Sequence, residues 1–184
     1  MIGTHNSLSY LKPQWYFRPF NFTSRCQNLT IEEQYEFGVR YFDIRVWFRK
    51  GKPVSRHGFA FYNINLYDVL DFLNEKNDIV VRLVLENWRK NDCRYDEKFI
   101  EFCKKCKERY QNLQFVGGIK KKPWNLLIDL GSVPCRDCFE MFGDDKLEVL
   151  WPWWNAVHKN KLHWTITKMG NDLCYYIFDF PEIH

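Results

Sequence analysis

The chain has no apolar run of eighteen residues, which excludes a transmembrane helix as its organising element. Glycine and proline are sparse, at 9 and 7 residues, and neither gathers into a linker. There is no low-complexity stretch and no internal repeat, so solenoid and fibrous architectures are excluded as well. Strong charge of one sign is also missing. With 27 Lys and Arg against 23 Asp and Glu the net charge is +4, which suits an anionic substrate or lipid surface without selecting nucleic acid. The N-terminus lacks the basic and apolar regions of a secretory signal, so a cytoplasmic protein is expected as the sequence stands, or a secreted one if a leader has been lost. An odd count of 7 Cys leaves at least one thiol outside any intrachain disulfide. Cys103-Lys104-Lys105-Cys106 and Cys135-Arg136-Asp137-Cys138 are two C-x2-C pairs, but their separation exceeds the usual zinc-ribbon range. Cys103 and Cys106 lie on an apolar helical stripe with Phe99, Phe102 and Tyr110, which favours a core role for them.

What is present in quantity is apolar and aromatic. Of 184 residues 46% are hydrophobic and 18% aromatic, enough for a single domain over 1–184 with a substantial core. Short apolar runs predict strands at 1–4, 39–46, 54–57, 79–85, 113–116, 126–130, 162–167 and 175–179. Amphipathic stretches predict helices at 30–37, 66–74 and 95–110, the first capped by Thr30 with Glu33 three residues on. Strand–helix–strand alternation argues for parallel β/α units. The expected fold class is therefore α/β, a TIM-type (β/α) barrel. A complete barrel takes about 250 residues, so a reduced or distorted one is expected.

Chemistry-bearing residues fall at the ends of the predicted strands. His5 and Asn6 follow the first strand, Asp43 and Arg45 stand two apart on the second, and His57 closes the third. Alternation along a strand puts Asp43 and Arg45 on one face. Two imidazoles, a guanidinium and a carboxylate supply a proton acceptor, a proton donor and a fixed cation, the set that acid–base cleavage of a phosphodiester requires. Glu86 ends the strand at 79–85 and Asp179 the strand at 175–179, both at the barrel face where loops build active sites.

The order and spacing of Ile2-Gly3-Thr4-His5-Asn6-Ser7, Cys26-Gln27, Ile31-Glu32-Glu33-Gln34, Gly38-Val39-Arg40-Tyr41-Phe42-Asp43-Ile44-Arg45 and His57-Gly58 resemble the X region of the phosphatidylinositol-specific phospholipase C family. The resemblance covers about the first 90 residues. It implies that His5 is the general base acting on the inositol 2-hydroxyl and His57 the general acid for the departing diacylglycerol oxygen. Arg45 would take the place that a calcium ion fills in the calcium-dependent members, Asn6 and Asp43 would orient these groups, and Asp179 would hold the His5 tautomer. Glu86, Trp164 and Lys168 are candidate substrate-binding residues.

The resemblance is mixed in one respect. Asn6, Asp43 and Glu86 could together ligate a calcium ion through oxygen, but a cation beside Arg45 would be repelled, so no metal and no other cofactor is expected. The implied reaction is attack of the 2-hydroxyl on phosphorus to give inositol 1,2-cyclic phosphate and diacylglycerol. The alternatives are a phosphodiesterase for a different head group, or a weakly catalytic module that binds phosphoinositides or glycolipids. The expected partner is a phospholipid or membrane surface, with no nucleic acid and a monomeric chain. Single His residues elsewhere, His158, His163 and His184, are read as surface or core residues. Trp151-Pro152-Trp153-Trp154 either meets a lipid surface or a sugar ring, or closes the shortened barrel, with Pro152 favouring the last. Lys120-Lys121-Lys122 beside Trp124 is read as an exposed basic turn.

Overall fold

Alternation of side chains along two central strands organises the molecule. In a computed structural model, described over residues 1–86, 93–121, 125–137 and 174–182 with Trp153, Ala156 and Asn160, β1 is Ile2–Thr4, β2 Val39–Arg49 and β3 Lys52–His57. They are followed by β4 Ala60–Tyr62, β5 Ile79–Leu85, β6 Leu113–Lys121, β7 Asn125–Gly131, β8 Cys135–Asp137 and β9 Tyr175–Phe178. Phe42, Ile44 and Val46 of β2 point outward with Val81, Leu83 and Leu85 of β5 into one large apolar cluster. Tyr41 and Val80 point the other way and meet Val116, Tyr175 and Ile177 inside the curved sheet. Asp43 and Arg45 share the parity of Tyr41, so the strand that fills the core also turns its charged residues inward.

Helices cover the outer face. Helix α1, Ile31–Glu36, starts with the capping box expected from sequence: the Glu33 amide donates to Thr30 Oγ1 and the Thr30 amide to Glu33 Oε2. Helix α2, Leu66–Asn74, buries Leu66, Val69, Leu70 and Leu73, and α3, Asp96–Arg109, buries Phe99, Phe102, Cys103 and Cys106 at the same spacing. Removing one such Leu or Phe side chain from water contributes about 1.5–3 kcal/mol. Cys103 and Cys106 thus sit in the core, and burial pushes both thiols up, Cys106 to about 12.

Among the described residues the sheet has nine strands and runs β7-β6-β5-β2-β1-β9-β8, with β3 paired to β2 and β4. β2 is parallel to β1 and β5, β5 to β6, and β9 to β1 and β8. Among the described residues the edges β7 and β8 do not pair, so this is an open, reduced barrel of mixed α/β class. Expectation and structure part at two places. β3 folds back antiparallel on β2, and β4 antiparallel on β3, because the turn between β2 and β3 holds only Lys50 and Gly51, both at positive φ (50° and 78°), a hairpin geometry. β7 is antiparallel to β6, since the connection 122–124 is too short for the crossover that parallel pairing needs. β4, β8 and a 3-10 segment at Trp15–Thr23 were not predicted at all.

The predicted strand at 162–167, the candidates Trp164 and Lys168, and His158, His163 and His184 lie outside the described residues, as do Trp151, Pro152, Trp154, Lys122, Trp124 and Cys138. No helix among the described residues is long and apolar enough to cross a membrane.

Candidate active site

His5 is fixed by backbone before any side chain acts on it. As β1 ends, its amide donates to the Phe178 carbonyl (3.0 Å), and Ser7 N–H donates to the Asp43 carbonyl (2.9 Å). Between them Asn6 adopts φ 46°, a left-handed conformation that Asn tolerates better than most residues. The turn aims the Asn6 amide at Asp43 Oδ2 (3.3 Å) and lets the imidazole of His5 swing toward β9. Two buried glutamines secure the corner. Gln27 Nε2 donates to the carbonyls of His5 (2.8 Å) and Phe178 (3.0 Å), while Gln34 Nε2 donates to those of Ser7 and Leu29 and Gln34 Oε1 accepts from Thr4 Oγ1.

The two imidazoles stand edge to face, with ring centroids 5.7 Å apart. His5 Nδ1 lies 2.9 Å from Asp179 Oδ1, so Nδ1 carries the proton and Nε2 is left as a base. Asn6 Nδ2 is 3.2 Å from that Nε2. His57 Nδ1 lies 2.8 Å from the Ser24 carbonyl oxygen, which can only accept; Nδ1 is therefore protonated here too, and Nε2 is the nitrogen free for proton transfer. Burial, and next the charge of His5, push the His57 pKa below its ordinary value. Asp179 is itself positioned from behind, where Asn160 Nδ2 donates to the carbonyls of Asp179 (2.9 Å) and Phe180 (2.8 Å).

Arg45 bridges two carboxylates. Its Nε donates to Asp43 Oδ2 at 2.8 Å and its NH1 to Glu86 Oε2 at 3.2 Å. Burial alone would lower the Arg45 pKa, but Asp43 and then Glu86 outweigh it and raise it, keeping the guanidinium charged. Asp43 is fully buried; burial alone would raise its pKa, yet Arg45, followed by His5 and Arg82, holds the carboxyl below its ordinary value. Glu86 Oε1 also accepts from the Gly58 amide (3.2 Å), which ties the turn after His57 to the Arg45 side chain.

His5, Asn6, Asp43, Arg45, His57, Glu86 and Asp179 therefore meet at one end of the sheet. The oxygens that would have to ligate calcium do not suit it as they stand. Both carboxylates are bridged by the Arg45 guanidinium, a cation that would repel the ion, and the Asn6 amide faces an imidazole. One different cluster could hold a soft metal: ligand atoms of His5, Cys26 and Asp179 all lie within 4.8 Å of one another. Burial, and then Asp179, push the Cys26 thiol well up, which opposes the thiolate such a site requires.

Sequence reasoning gave no role to Ser24, Asn160 or Arg82. Ser24 and Asn160 contribute a backbone carbonyl and a distant side chain, and neither leaves a mark in local sequence. Arg82 did leave one, as a lone charge within the apolar strand 79–85; it faces inward, with Nε 3.9 Å from Asp43 Oδ1. Gln27 and Gln34 stood in segments that carry the family resemblance, and the structure shows what they do there.

No protein-family model and no curated protein matches the chain. Solved structures do. Phosphatidylinositol-specific phospholipase C from Listeria monocytogenes aligns with a TM-score of 0.63 at 17% identity, over 98% of this chain and 88% of that one. A mutant of the Staphylococcus aureus phosphatidylinositol-specific phospholipase C aligns with a TM-score of 0.65 at 14% identity, over 98% and 84%. At these identities the likeness is one of fold: the chain has the barrel architecture of these enzymes.

Proposed function

We propose that the chain is a phosphodiesterase that cleaves phosphatidylinositol or a closely related glycerophosphodiester without a metal ion. One observation carries this reading: two imidazoles 5.7 Å apart, each with Nδ1 tied to an acceptor, beside a guanidinium held between two carboxylates. His5 Nε2 takes the proton of the substrate 2-hydroxyl as that oxygen bonds to phosphorus, and Asp179 stabilises the imidazolium that forms. His57 Nε2–H protonates the glycerol oxygen as its bond to phosphorus breaks. The products are a five-membered cyclic phosphodiester and diacylglycerol, and in a later hydrolysis of the ring the two imidazoles exchange roles. Arg45 offers its remaining N–H donors to the non-bridging oxygens as charge accumulates on them. Asn6 Nδ2 satisfies His5 Nε2 until a substrate hydroxyl displaces it.

The surroundings support a lipid substrate. Trp15, Tyr16, Phe20 and Phe22 of the 3-10 segment are exposed, as is Phe59, two residues past His57, and aromatic rings favour the membrane–water interface. Phosphorus NMR with phosphatidylinositol in mixed micelles tests the proposal. A cyclic phosphodiester resonance is expected, unchanged by chelator and reduced about 10²–10⁴-fold in rate by His5→Ala or His57→Ala. Product that vanishes with chelator would remove Arg45 from its role, and no product in either buffer would sink the activity.

A further inference from the structure

A separate cleft of about 530 Å³ opens between the 3-10 segment and the β2–β3 hairpin. Its wall carries Lys12, Arg18, Arg49, Lys50 and Lys52, all exposed, and among the described residues no Asp or Glu lines it. None of the five cations forms an ion pair among the described residues, although surface Lys and Arg elsewhere do, as in Lys105 with Glu101 and Arg109 with Asp71. Five like charges around one concavity repel one another, and that cost is relieved by a bound anion.

The cleft is also held in shape. Gln14 lies in its wall and staples the segment before the 3-10 turn to β4. Its side chain donates to the Phe59 carbonyl (2.8 Å) and accepts from the Phe61 amide (2.6 Å), its own amide donates to the Phe61 carbonyl (3.2 Å), and Pro13 bridges to Tyr62. On the opposite side Arg49 and Lys52 are register partners at the end of the hairpin, so both cations project from one rigid rung. The volume is far larger than a single phosphate needs and falls in the range of small-molecule sites.

We infer that this cleft is a second anion-binding site, distinct from the candidate active site, that takes a group bearing several phosphate charges, either a soluble oligophosphate or clustered phosphomonoesters at a lipid surface. Arginine forks and lysine ammonium groups are the donors suited to phosphate oxygens. The inference does not depend on the catalytic reading, because its readout is binding and not turnover.

Calorimetric titration of the intact chain with inorganic tripolyphosphate tests it, alongside co-sedimentation with phosphatidylcholine vesicles with and without phosphatidic acid. Binding that is weakened at least tenfold by Arg49→Gln with Lys52→Gln, and retained in Lys104→Gln with Lys107→Gln, which removes the same charge from exposed positions on α3, supports the site. Lys50→Gln with Lys52→Gln, confined to the hairpin tip, is the second variant should the first unfold in circular dichroism. Tripolyphosphate binding without vesicle binding identifies a soluble ligand, and phosphatidic acid-dependent sedimentation lost in the same variants identifies the lipid source. No binding of either probe, or binding that survives the cleft variants, would overturn the inference.

Discussion

At the scale of single residues, the proposed reaction ties its pH dependence to His57. As the proposed general acid it must carry a proton on Nε2, and burial together with His5 lowers its pKa, so raising the pH through that lowered value removes the acid. The basic limb of a kcat/KM profile is therefore expected below about 6.5, the ordinary His value, falling tenfold per pH unit. A plateau extending through pH 8 would exclude His57 as the acid. Arg45 offers a second test. Arg45→Lys keeps the charge but cannot fork between Asp43 and Glu86, so kcat should fall about 10²–10³-fold. Arg45→Ala strands the fully buried Asp43 carboxylate and should cost about 3–5 kcal/mol in denaturant unfolding. Equal stability of Arg45→Ala and the parent chain would mean that the bridge is not what keeps Asp43 ionised. Strand parity made the Asp43–Arg45 contact readable from sequence alone, since residues two apart share a face. The partners of the imidazoles were not readable in that way: the Ser24 carbonyl that orients His57 has no side-chain signature.

At the scale of elements, local rules served well wherever a motif closes on itself. Thr30 and Glu33 form their capping box as read, and α2 and α3 fall within a residue of their expected bounds because each buries one stripe at i, i+3, i+4 and i+7. Thr30→Ala should lower stability by about 1 kcal/mol. It should also loosen Gln34, which clamps Ser7 and Thr4, so a parallel loss of activity beyond the stability change would show that the cap supports the His5 corner. An activity loss fully restored at lower temperature would assign the cap to stability alone. β4 and β8, three residues each, carry too little pattern to be read, and they form because neighbouring strands offer edges to them. Between β6 and β7 a glycine is required: at Gly118, φ 119°, an added Cβ would run into the Ile128 carbonyl oxygen, so the ladder closes only over a residue without a side chain.

At the scale of the whole molecule, β9 joins the two ends of the chain. It pairs with β1 on one side and β8 on the other, and Asp179 follows directly. Deleting 174–184 should remove both a central strand and the His5 partner, abolishing cooperative unfolding in near-ultraviolet circular dichroism and not merely activity. A truncated chain that still unfolds cooperatively would mean that β1 to β7 fold by themselves. Amphipathic period, capping and the two-residue turn are local properties of the chain, and they determined which segments become helices, which become strands and which residues share a face. Tertiary structure alone decided that β9 inserts between β1 and β8, and that Asp179 meets His5 across 174 positions, with Cys26 and Ser24 brought to His57. Those outcomes follow from burying apolar faces together while the polar groups buried with them are brought to partners, a condition that no single segment can satisfy or reveal.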